Sequence, residues 1–116
     1  MPLESKMILV ASDDAALVAS LADSLHESGY RVSNALEDSE SEEGSNVIVL
    51  DTALPAARRA DLLSRRAGSP IVALASRDSV RQTAAQEGVW VCLAKPVELD
   101  NVLLAVDRIT RYAAAA

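Results

Sequence analysis

The sequence has no phenylalanine and three aromatic side chains in all, Tyr30, Trp90 and Tyr112. This is too few for a base-stacking platform or an aromatic ligand cage, so these kinds of site are excluded and the core must be mostly aliphatic. Cysteine is scarcer still. The single cysteine, Cys92, lies in an apolar run, which indicates a buried strand residue in a reducing compartment and not a disulfide or a metal ligand.

Positive charge and long apolar stretches are also lacking. The net charge of -6 argues against direct contact with nucleic acid, because neutralising phosphates takes an excess of Lys and Arg. No apolar run approaches the roughly 20 residues of a membrane helix, and residues 1–5 do not begin a secretion signal. We therefore expect a cytoplasmic protein with no direct nucleic-acid partner and no membrane partner.

The apolar content is sufficient for one hydrophobic core. Half of the 116 residues are apolar, and this length is typical of one domain that folds without disulfides. We predict a single domain over residues 1–116, with a core spanning about 6–112 and residues 113–116 as a tail.

Five apolar runs of strand length occur along the chain. Four of them are almost continuously apolar, as expected when helices cover both faces of a parallel sheet, whereas the second alternates as an edge strand does. The runs are 7–11, 30–34, 47–50, 71–75 and 90–94.

Segments with helical periodicity follow these runs, and we number the predicted helices one to five. Helix one repeats Leu17, Leu21 and Leu25 before a glycine. Helix two is expected to be short or frayed, because acidic residues replace nearly all apolar ones between the second and third runs. Helix three is placed at 57–68, and helix five begins at Glu98. Helix four is a short helix that Asp78 or Ser79 can cap and that runs through Val80 and Ala84 to Gly88.

This alternation predicts an α/β fold of the flavodoxin-like (βα)5 type. Its doubly wound, five-stranded parallel sheet would have the strand order 2-1-3-4-5, with a right-handed crossover at each connection. Sites in such sheets lie at the carboxyl ends of the strands.

Polar residues follow the strands at that edge: Asp13 and Asp14 the first, Asp51 the third, Ser76 the fourth and Lys95 the fifth. In this strand order Asp13 and Asp51 would face each other in one crevice. Two close carboxylates repel and favour a site for Mg²⁺. Beside Mg²⁺ and Lys95, Asp51 is equipped to attack a phosphoryl group.

Four segments together resemble the receiver domains of bacterial two-component response regulators, the CheY-like superfamily. They cover almost the whole chain, and the resemblance implies a signalling phosphoprotein that acts in a phosphorelay. The segments are ILVASDDAAL at 8–17, VIVLDTALP at 47–55, PIVALAS at 70–76 and LAKPVELDNVL at 93–103.

Carried over residue by residue, the resemblance implies Asp51 as the phosphoacceptor and Lys95 as the lysine that pairs with the phosphoryl group. Asp13 would be a Mg²⁺-binding acid. The backbone carbonyl of Ala53 would be a further metal ligand, and a cis peptide bond would precede Pro96.

The chain departs from the family pattern at several positions, which marks it as an atypical member. Ser12 stands where a second acid is usual, so the adjoining Asp14 is an additional candidate ligand. The switch position, usually Thr or Ser, falls on Ala75, with the hydroxyl of Ser76 one residue further. Cys92 takes the place of an aromatic residue on the fifth strand.

Two functions stay open at this point. The first is a receiver that accepts a phosphoryl group from a histidine kinase or phosphotransfer protein. It would signal to a downstream target or output domain through the face of helix four, strand five and helix five. It is not an enzyme beyond transfer to, and hydrolysis from, its own Asp51.

The second is a pseudo-receiver, a protein-interaction module that pairs with itself as a homodimer, or with a partner, irrespective of phosphate. Ser12 and Ala75 favour this alternative, whereas Asp13, Asp51 and Lys95 favour the first. A nucleotide-binding flavodoxin-like protein is a third class, against which the lack of a Gly-rich loop after the first strand counts. The acids could also merely cap helices.

Overall fold

The structure is a computed structural model that describes residues 7–34, 45–65, 68–86 and 88–115. The strands are β1 (Met7–Ala11), β2 (Arg31–Asn34), β3 (Ser45–Asp51), β4 (Ile71–Ala75) and β5 (Val89–Ala94). The helices are α1 (Ala15–Glu27), α2 (Ala56–Arg65), α3 (Val80–Ala84) and α4 (Leu99–Ala115), with a 3₁₀ turn at Arg77–Ser79.

The five strands form one parallel sheet in the order β2-β1-β3-β4-β5. The predicted fold class and strand order are therefore confirmed. Helices α2, α3 and α4 correspond to predicted helices three, four and five, while the short helix two that the sequence predicts falls on residues outside the described ones. In the part of the chain that the structure describes, we find no helix long and apolar enough to cross a membrane.

Alternate side chains of each strand enter two separate apolar layers, because successive strand residues point to opposite faces. On one face, Val10 of β1 packs in a cluster with Leu25 of α1 and Val106 of α4. On the other face, Leu9 of β1 belongs to a cluster with Leu62 of α2. The continuously apolar strands are thus explained by helices on both faces, which leaves polar chemistry to the strand ends.

The fourth predicted helix is much shorter than expected. The predicted start is confirmed, since α3 begins at Val80 with Ser79 at the N-cap position, but the predicted end at Gly88 is wrong, because α3 covers only Val80–Ala84 after a 3₁₀ turn at Arg77–Ser79. Ser79 occupies the N-cap position of α3 but makes no side-chain capping bond. Its hydroxyl donates to the backbone carbonyl of Ser76 instead.

Strand β5 is less covered than the sequence predicts. It forms one edge of the sheet, and none of its residues is fully buried. Trp90 is 48% exposed, and Cys92 is a half-buried free thiol whose pKa is raised by burial. Both faces of the strand do pack against the core, with Val91 and Leu93 on one side and Cys92 on the other, but the cover at this edge is incomplete.

A polar contact joins the start of β2 to the last helix. The Tyr30 hydroxyl donates to the Asp107 carboxylate and lies 3.3 Å from Thr110 Oγ1. Burial, and then the bond to Asp107, raises the pKa of Tyr30. The neutral phenol is therefore the form that the folded chain stabilises.

Replacing Tyr30 with phenylalanine should lower the free energy of unfolding by about 1 kcal/mol at neutral pH, because one hydrogen bond to a carboxylate is lost. Since the folded-state pKa is raised, this contribution is complete below the ordinary tyrosine pKa of about 10 and is lost as the pH rises through the folded value. Urea unfolding of both proteins at neutral and alkaline pH measures it. Tyr112→Phe, at a position 66% exposed, is the matched control and should have almost no effect; equal losses in the two variants would contradict the assignment.

Candidate functional site

The site is centred on Asp51, the last residue of β3, whose side chain is 2% exposed. Both of its carboxylate oxygens accept hydrogen bonds from the protein. Ser12 Oγ donates to Oδ2 at 2.8 Å. Lys95 Nζ donates to Oδ1 at 2.6 Å, and the Ala53 N–H donates to the same oxygen at 3.0 Å. A buried carboxylate is thereby bonded to one cation and two neutral donors.

The strand register brings these residues together. Ala11 of β1 pairs with Leu50 of β3, so Ser12 and Asp51 come next on two neighbouring strands. On the other side, the Lys95 N–H donates to the carbonyl of Ala75 at 2.8 Å, which extends the pairing of β4 and β5 by one residue. The Lys95–Pro96 peptide bond that follows is cis.

The electrostatics of the site keep Asp51 ionised. Burial raises the pKa of a carboxyl group, because it penalises the charged form. Here the bonds from Lys95, the Ala53 N–H and Ser12 outweigh burial. The result is a pKa of Asp51 below its ordinary value. At neutral pH the group is therefore a carboxylate paired with a lysine, and the charges of the pair balance.

The two acids that follow β1 have different positions. Asp14 is the N-cap of α1: its Oδ1 accepts the Leu17 N–H at 3.1 Å, which satisfies a free amide of the first helical turn. Asp13 is exposed. The direct contact with Asp51 from this strand end comes from Ser12, not from either acid. For Asp14, helix capping is thus an observed role.

The sequence places Ser12 at the carboxyl end of the first strand, where it stands in place of an acid, but its hydrogen bond to Asp51 was not predicted. The Asp14 N–H donates to Ser12 Oγ at 3.1 Å, and the hydroxyl donates onward to Asp51. These two hydrogen bonds hold Ser12, which is 2% exposed, in place. The signal that could have identified Ser12 is its position. It is a polar residue directly after a buried strand, and the neighbouring strand ends in Asp51.

The two alternatives for the switch position do not contact Asp51 through a hydroxyl. Ala75 is fully buried and has only a methyl group to offer. Ser76 is exposed, and its Oγ lies 2.9 Å from Ser79 Oγ within the 3₁₀ turn. Among the described residues, the hydroxyl donated to Asp51 is that of Ser12.

The suitability of the site for Mg²⁺ can be judged from the oxygens present. A carboxylate has about four lone-pair positions; Asp51 Oδ1 uses two of them and Oδ2 one, which leaves one on Oδ2. That oxygen, the Asp13 carboxylate and the Ala53 carbonyl are hard ligands of the type that Mg²⁺ accepts together with water. Within the described ranges, no three His, Cys, Asp or Glu side chains cluster at metal-binding distance. The described residues thus offer oxygens of the right chemical type for Mg²⁺, but no cluster of acids that would hold the ion tightly.

Comparisons with known proteins agree with the fold. No protein-family model matches the sequence, and no curated protein matches it. Among solved structures, the receiver domain protein of Methanospirillum hungatei JF-1, described as CheY-like, is 21% identical with a TM-score of 0.77, over 97% of this chain and 100% of that one. NtrX from Brucella abortus, solved with ADP, is 18% identical with a TM-score of 0.78, but the 97% of this chain that matches spans only 28% of its length.

A third similar structure is described as a redox sensor of the streptococci that evolved from two-component response regulators. It is 22% identical with a TM-score of 0.74, over 94% of this chain and 52% of that one. These likenesses show that the chain has the fold of response-regulator receiver domains.

Proposed function

We propose that this chain is a two-component signalling receiver whose Asp51 accepts a phosphoryl group. The observation that carries the proposal is the buried, ionised Asp51 held 2.6 Å from Lys95 at the carboxyl edge of a receiver fold. A carboxylate at a strand end can be a simple structural acid. Pairing it with a lysine from the fifth strand, in a buried site, supplies both a nucleophile and a cation for phosphoryl transfer.

If Mg²⁺ takes the remaining position on Oδ2, attack requires Oδ1 to release one of its two donors, and the exposure of each donor suggests which one leaves. Ser12 is buried and fixed by the Asp14 N–H, and the Ala53 donor belongs to the backbone. The Lys95 side chain is 34% exposed, and a lysine carries its ammonium group on a four-carbon stem that can adopt other rotamers. We infer that Lys95 moves from Oδ1 to the incoming phosphoryl oxygens, which frees Oδ1 as the nucleophile.

In this step a bond forms between Oδ1 and phosphorus, while the bond from phosphorus to the donor's imidazole nitrogen breaks. The donor would be a phosphohistidine of a histidine kinase or phosphotransfer protein in a bacterial cytoplasm. The released imidazole keeps the electron pair of the broken bond and takes a proton from water. Lys95 and the Ala53 N–H stabilise the charge on the oxygens throughout.

Mg²⁺, when bound, would neutralise charge on the transferring phosphoryl oxygens. Asp13, Oδ2 of Asp51 and the Ala53 carbonyl are the groups that would hold it. Ser12 in place of an acid makes the site less negative. The proposal therefore includes weak Mg²⁺ binding.

The pseudo-receiver is the second candidate, and two observations favour it. Ala75 brings no hydroxyl to the position at which the resemblance expects one. Ser12, Lys95 and the Ala53 N–H already satisfy Asp51 without any ligand. In this alternative the three hydrogen bonds to Asp51 have only a structural role, and the protein acts only through its surface.

Intact-mass spectrometry after incubation with acetyl phosphate and Mg²⁺ separates the two candidates. We expect the wild-type mass to rise by one phosphoryl group, whereas Asp51→Asn shows no rise because its amide is not a nucleophile. Asp78→Asn, an exposed acid in the turn after β4, is the matched control and should behave as the wild type. An unchanged wild-type mass would contradict the receiver proposal and favour the pseudo-receiver.

A further inference from the structure

The buried hydroxyl of Ser12 makes a contact for which the proposed transfer to Asp51 has no use. Ser12 Oγ donates to Oδ2 of Asp51 at 2.8 Å, whereas the Lys95 and Ala53 donors both bond to Oδ1. The two carboxylate oxygens therefore have separate sets of donors. Among the described residues, Ser12 provides the hydrogen bond to Oδ2, the oxygen that does not form the bond to phosphorus in the proposed transfer.

The direction of this hydrogen bond is fixed by the backbone at the start of α1. The Asp14 N–H donates to Ser12 Oγ at 3.1 Å and takes up one of its lone pairs. Asp14 is itself held as the N-cap of α1, where its Oδ1 accepts the Leu17 N–H. A hydroxyl has one proton to donate, and here that proton is directed at Asp51. Because Ser12 is 2% exposed, water has little access to replace its hydroxyl.

The charge on Oδ2 differs between the two states of Asp51. In the free carboxylate, both oxygens share the negative charge. Once Oδ1 is bonded to phosphorus, Oδ2 is the neutral carbonyl oxygen of an acyl phosphate. A hydrogen bond to an ionised acceptor is about twice as strong as one to a neutral acceptor. The bond from Ser12 therefore stabilises the carboxylate more than it stabilises the acyl phosphate.

We propose that Ser12 shortens the lifetime of the aspartyl phosphate, because its hydroxyl donates to Oδ2 while the phosphoryl group leaves. The inference rests on the proposed function, since it requires Asp51 to accept a phosphoryl group. In hydrolysis, water attacks phosphorus and the bond from Oδ1 to phosphorus breaks. The electron pair of that bond stays on the carboxylate, and the protons of the water remain on inorganic phosphate or pass to solvent. Negative charge returns to Oδ2 in this step, where the Ser12 donor is already in place.

A purely structural role of Ser12 and a role in hydrolysis predict different effects when the hydroxyl is removed. If Ser12 served only to hold Asp51 in place, Ser12→Ala would loosen a buried site and admit water, so hydrolysis would be faster or unchanged. If the hydroxyl stabilises the departing carboxylate, Ser12→Ala makes hydrolysis slower. The sign of the change in rate therefore distinguishes the two roles.

Decay of the labelled protein, followed by intact-mass spectrometry, tests the proposal. The full chain is labelled with acetyl phosphate and Mg²⁺, the reagent is removed by desalting, and the loss of the phosphoryl mass is timed. We expect the half-life of Ser12→Ala to be at least about fivefold longer than that of the wild type, since the lost bond favours the charged acceptor. Ser12→Cys, whose thiol is a weak donor, should be intermediate. Ser12→Thr keeps the hydroxyl and should decay within about twofold of the wild type.

Decay in EDTA and at saturating Mg²⁺ separates the hydrogen bond from any effect on the ion, and the half-life should lengthen equally in both. Ser20→Ala, the same substitution at an exposed position of α1, is the matched control and should decay as the wild type does. Circular dichroism checks that each variant is folded. A Ser12→Ala half-life equal to or shorter than that of the wild type, or a lengthening confined to one of the two conditions, would overturn the proposal.

Failure of the phosphoryl proposal gives a different result from failure of this one. A wild type that takes up no label would overturn both. A wild type that is labelled, together with a Ser12→Ala variant that decays equally fast, would overturn only the role of Ser12. If Ser12→Ala takes up too little label for timing, the comparison of Ser12→Cys with Ser12→Thr decides, and the cysteine variant must decay more slowly.

Discussion

Replacing Lys95 with methionine is expected to lower the free energy of unfolding by about 1–3 kcal/mol at neutral pH. Methionine has a similar length and keeps the packing of the stem, but it removes a cation bonded to a carboxylate that is 2% exposed. The loss should stay below the roughly 3–5 kcal/mol of fully buried pairs, because the lysine side chain is 34% exposed and water can partly replace it.

The pH dependence of this loss has a definite sign. In the wild type the pKa of Asp51 is lowered, so the stability due to the ionised group is complete above the ordinary carboxyl pKa of about 4 and is lost as the pH falls through the folded value. Without Lys95, burial acts with less opposition and the pKa of Asp51 rises. The difference in stability between wild type and Lys95→Met should therefore be largest near neutral pH and shrink in acid.

Urea denaturation at several pH values measures this difference directly. Arg81→Met, which removes an exposed cation from α3, is the matched control and should change stability by less than about 0.5 kcal/mol. Under the phosphoryl proposal, Lys95→Met should also slow labelling by acetyl phosphate about 100-fold, the usual cost of losing one donor to a developing negative charge. A variant as stable as the wild type at every pH would show that the pair contributes nothing.

The fold could be predicted because its determinants are patterns of chain length and polarity. Continuous apolar runs such as residues 47–50 require cover on both sides, and the repeat of Leu17, Leu21 and Leu25 supplies one of the covering helices. The length of α3 could not be predicted in this way. Asp78 and Ser79 are good capping residues in isolation, but the 3₁₀ turn at Arg77–Ser79 uses them before the helix begins.

The exposure of β5 also could not be predicted from the pattern of apolar residues. Residues 90–94 are as apolar as the buried strands, so periodicity alone gives them two covered faces. What decides their exposure is that β5 is an edge strand beside a five-residue helix. An equally apolar run is therefore buried in the core in β4 but partly exposed at the sheet edge in β5.

At the site, strand order predicted that Lys95 would lie near Asp51. It did not predict which residue at the end of β1 would contact Asp51. Strand order places Asp51 between the ends of β1 and β4, and Lys95 reaches it from β5. The choice between Ser12 and Asp13 depends on the register of a single residue. The pairing of Ala11 with Leu50 puts Ser12 beside the carboxylate, and a one-residue difference reverses the face of a strand.

Because this register places Ser12 beside Asp51, we expect a substitution at Ser12 to change the affinity of the proposed site for Mg²⁺. The Asp51–Lys95 pair is neutral, and Ser12 adds a donor but no charge. Ser12→Asp would place a second carboxylate where the hydroxyl now lies, 2.8 Å from Oδ2. Two carboxylates so close repel, and a divalent cation relieves the repulsion. We therefore expect Ser12→Asp to bind Mg²⁺ at least about tenfold more tightly than the wild type.

Thermal unfolding with and without Mg²⁺ distinguishes this gain from a general effect of the ion. Without Mg²⁺ the Ser12→Asp variant should be less stable than the wild type, since it buries an additional negative charge, and Mg²⁺ should restore it. Ser12→Asn is the matched control: it has nearly the same shape as the aspartate but no charge, so Mg²⁺ should not stabilise it beyond the wild type. If Mg²⁺ shifted all three proteins equally, the ion would bind elsewhere, and Asp13, Asp51 and Ala53 would not form its site.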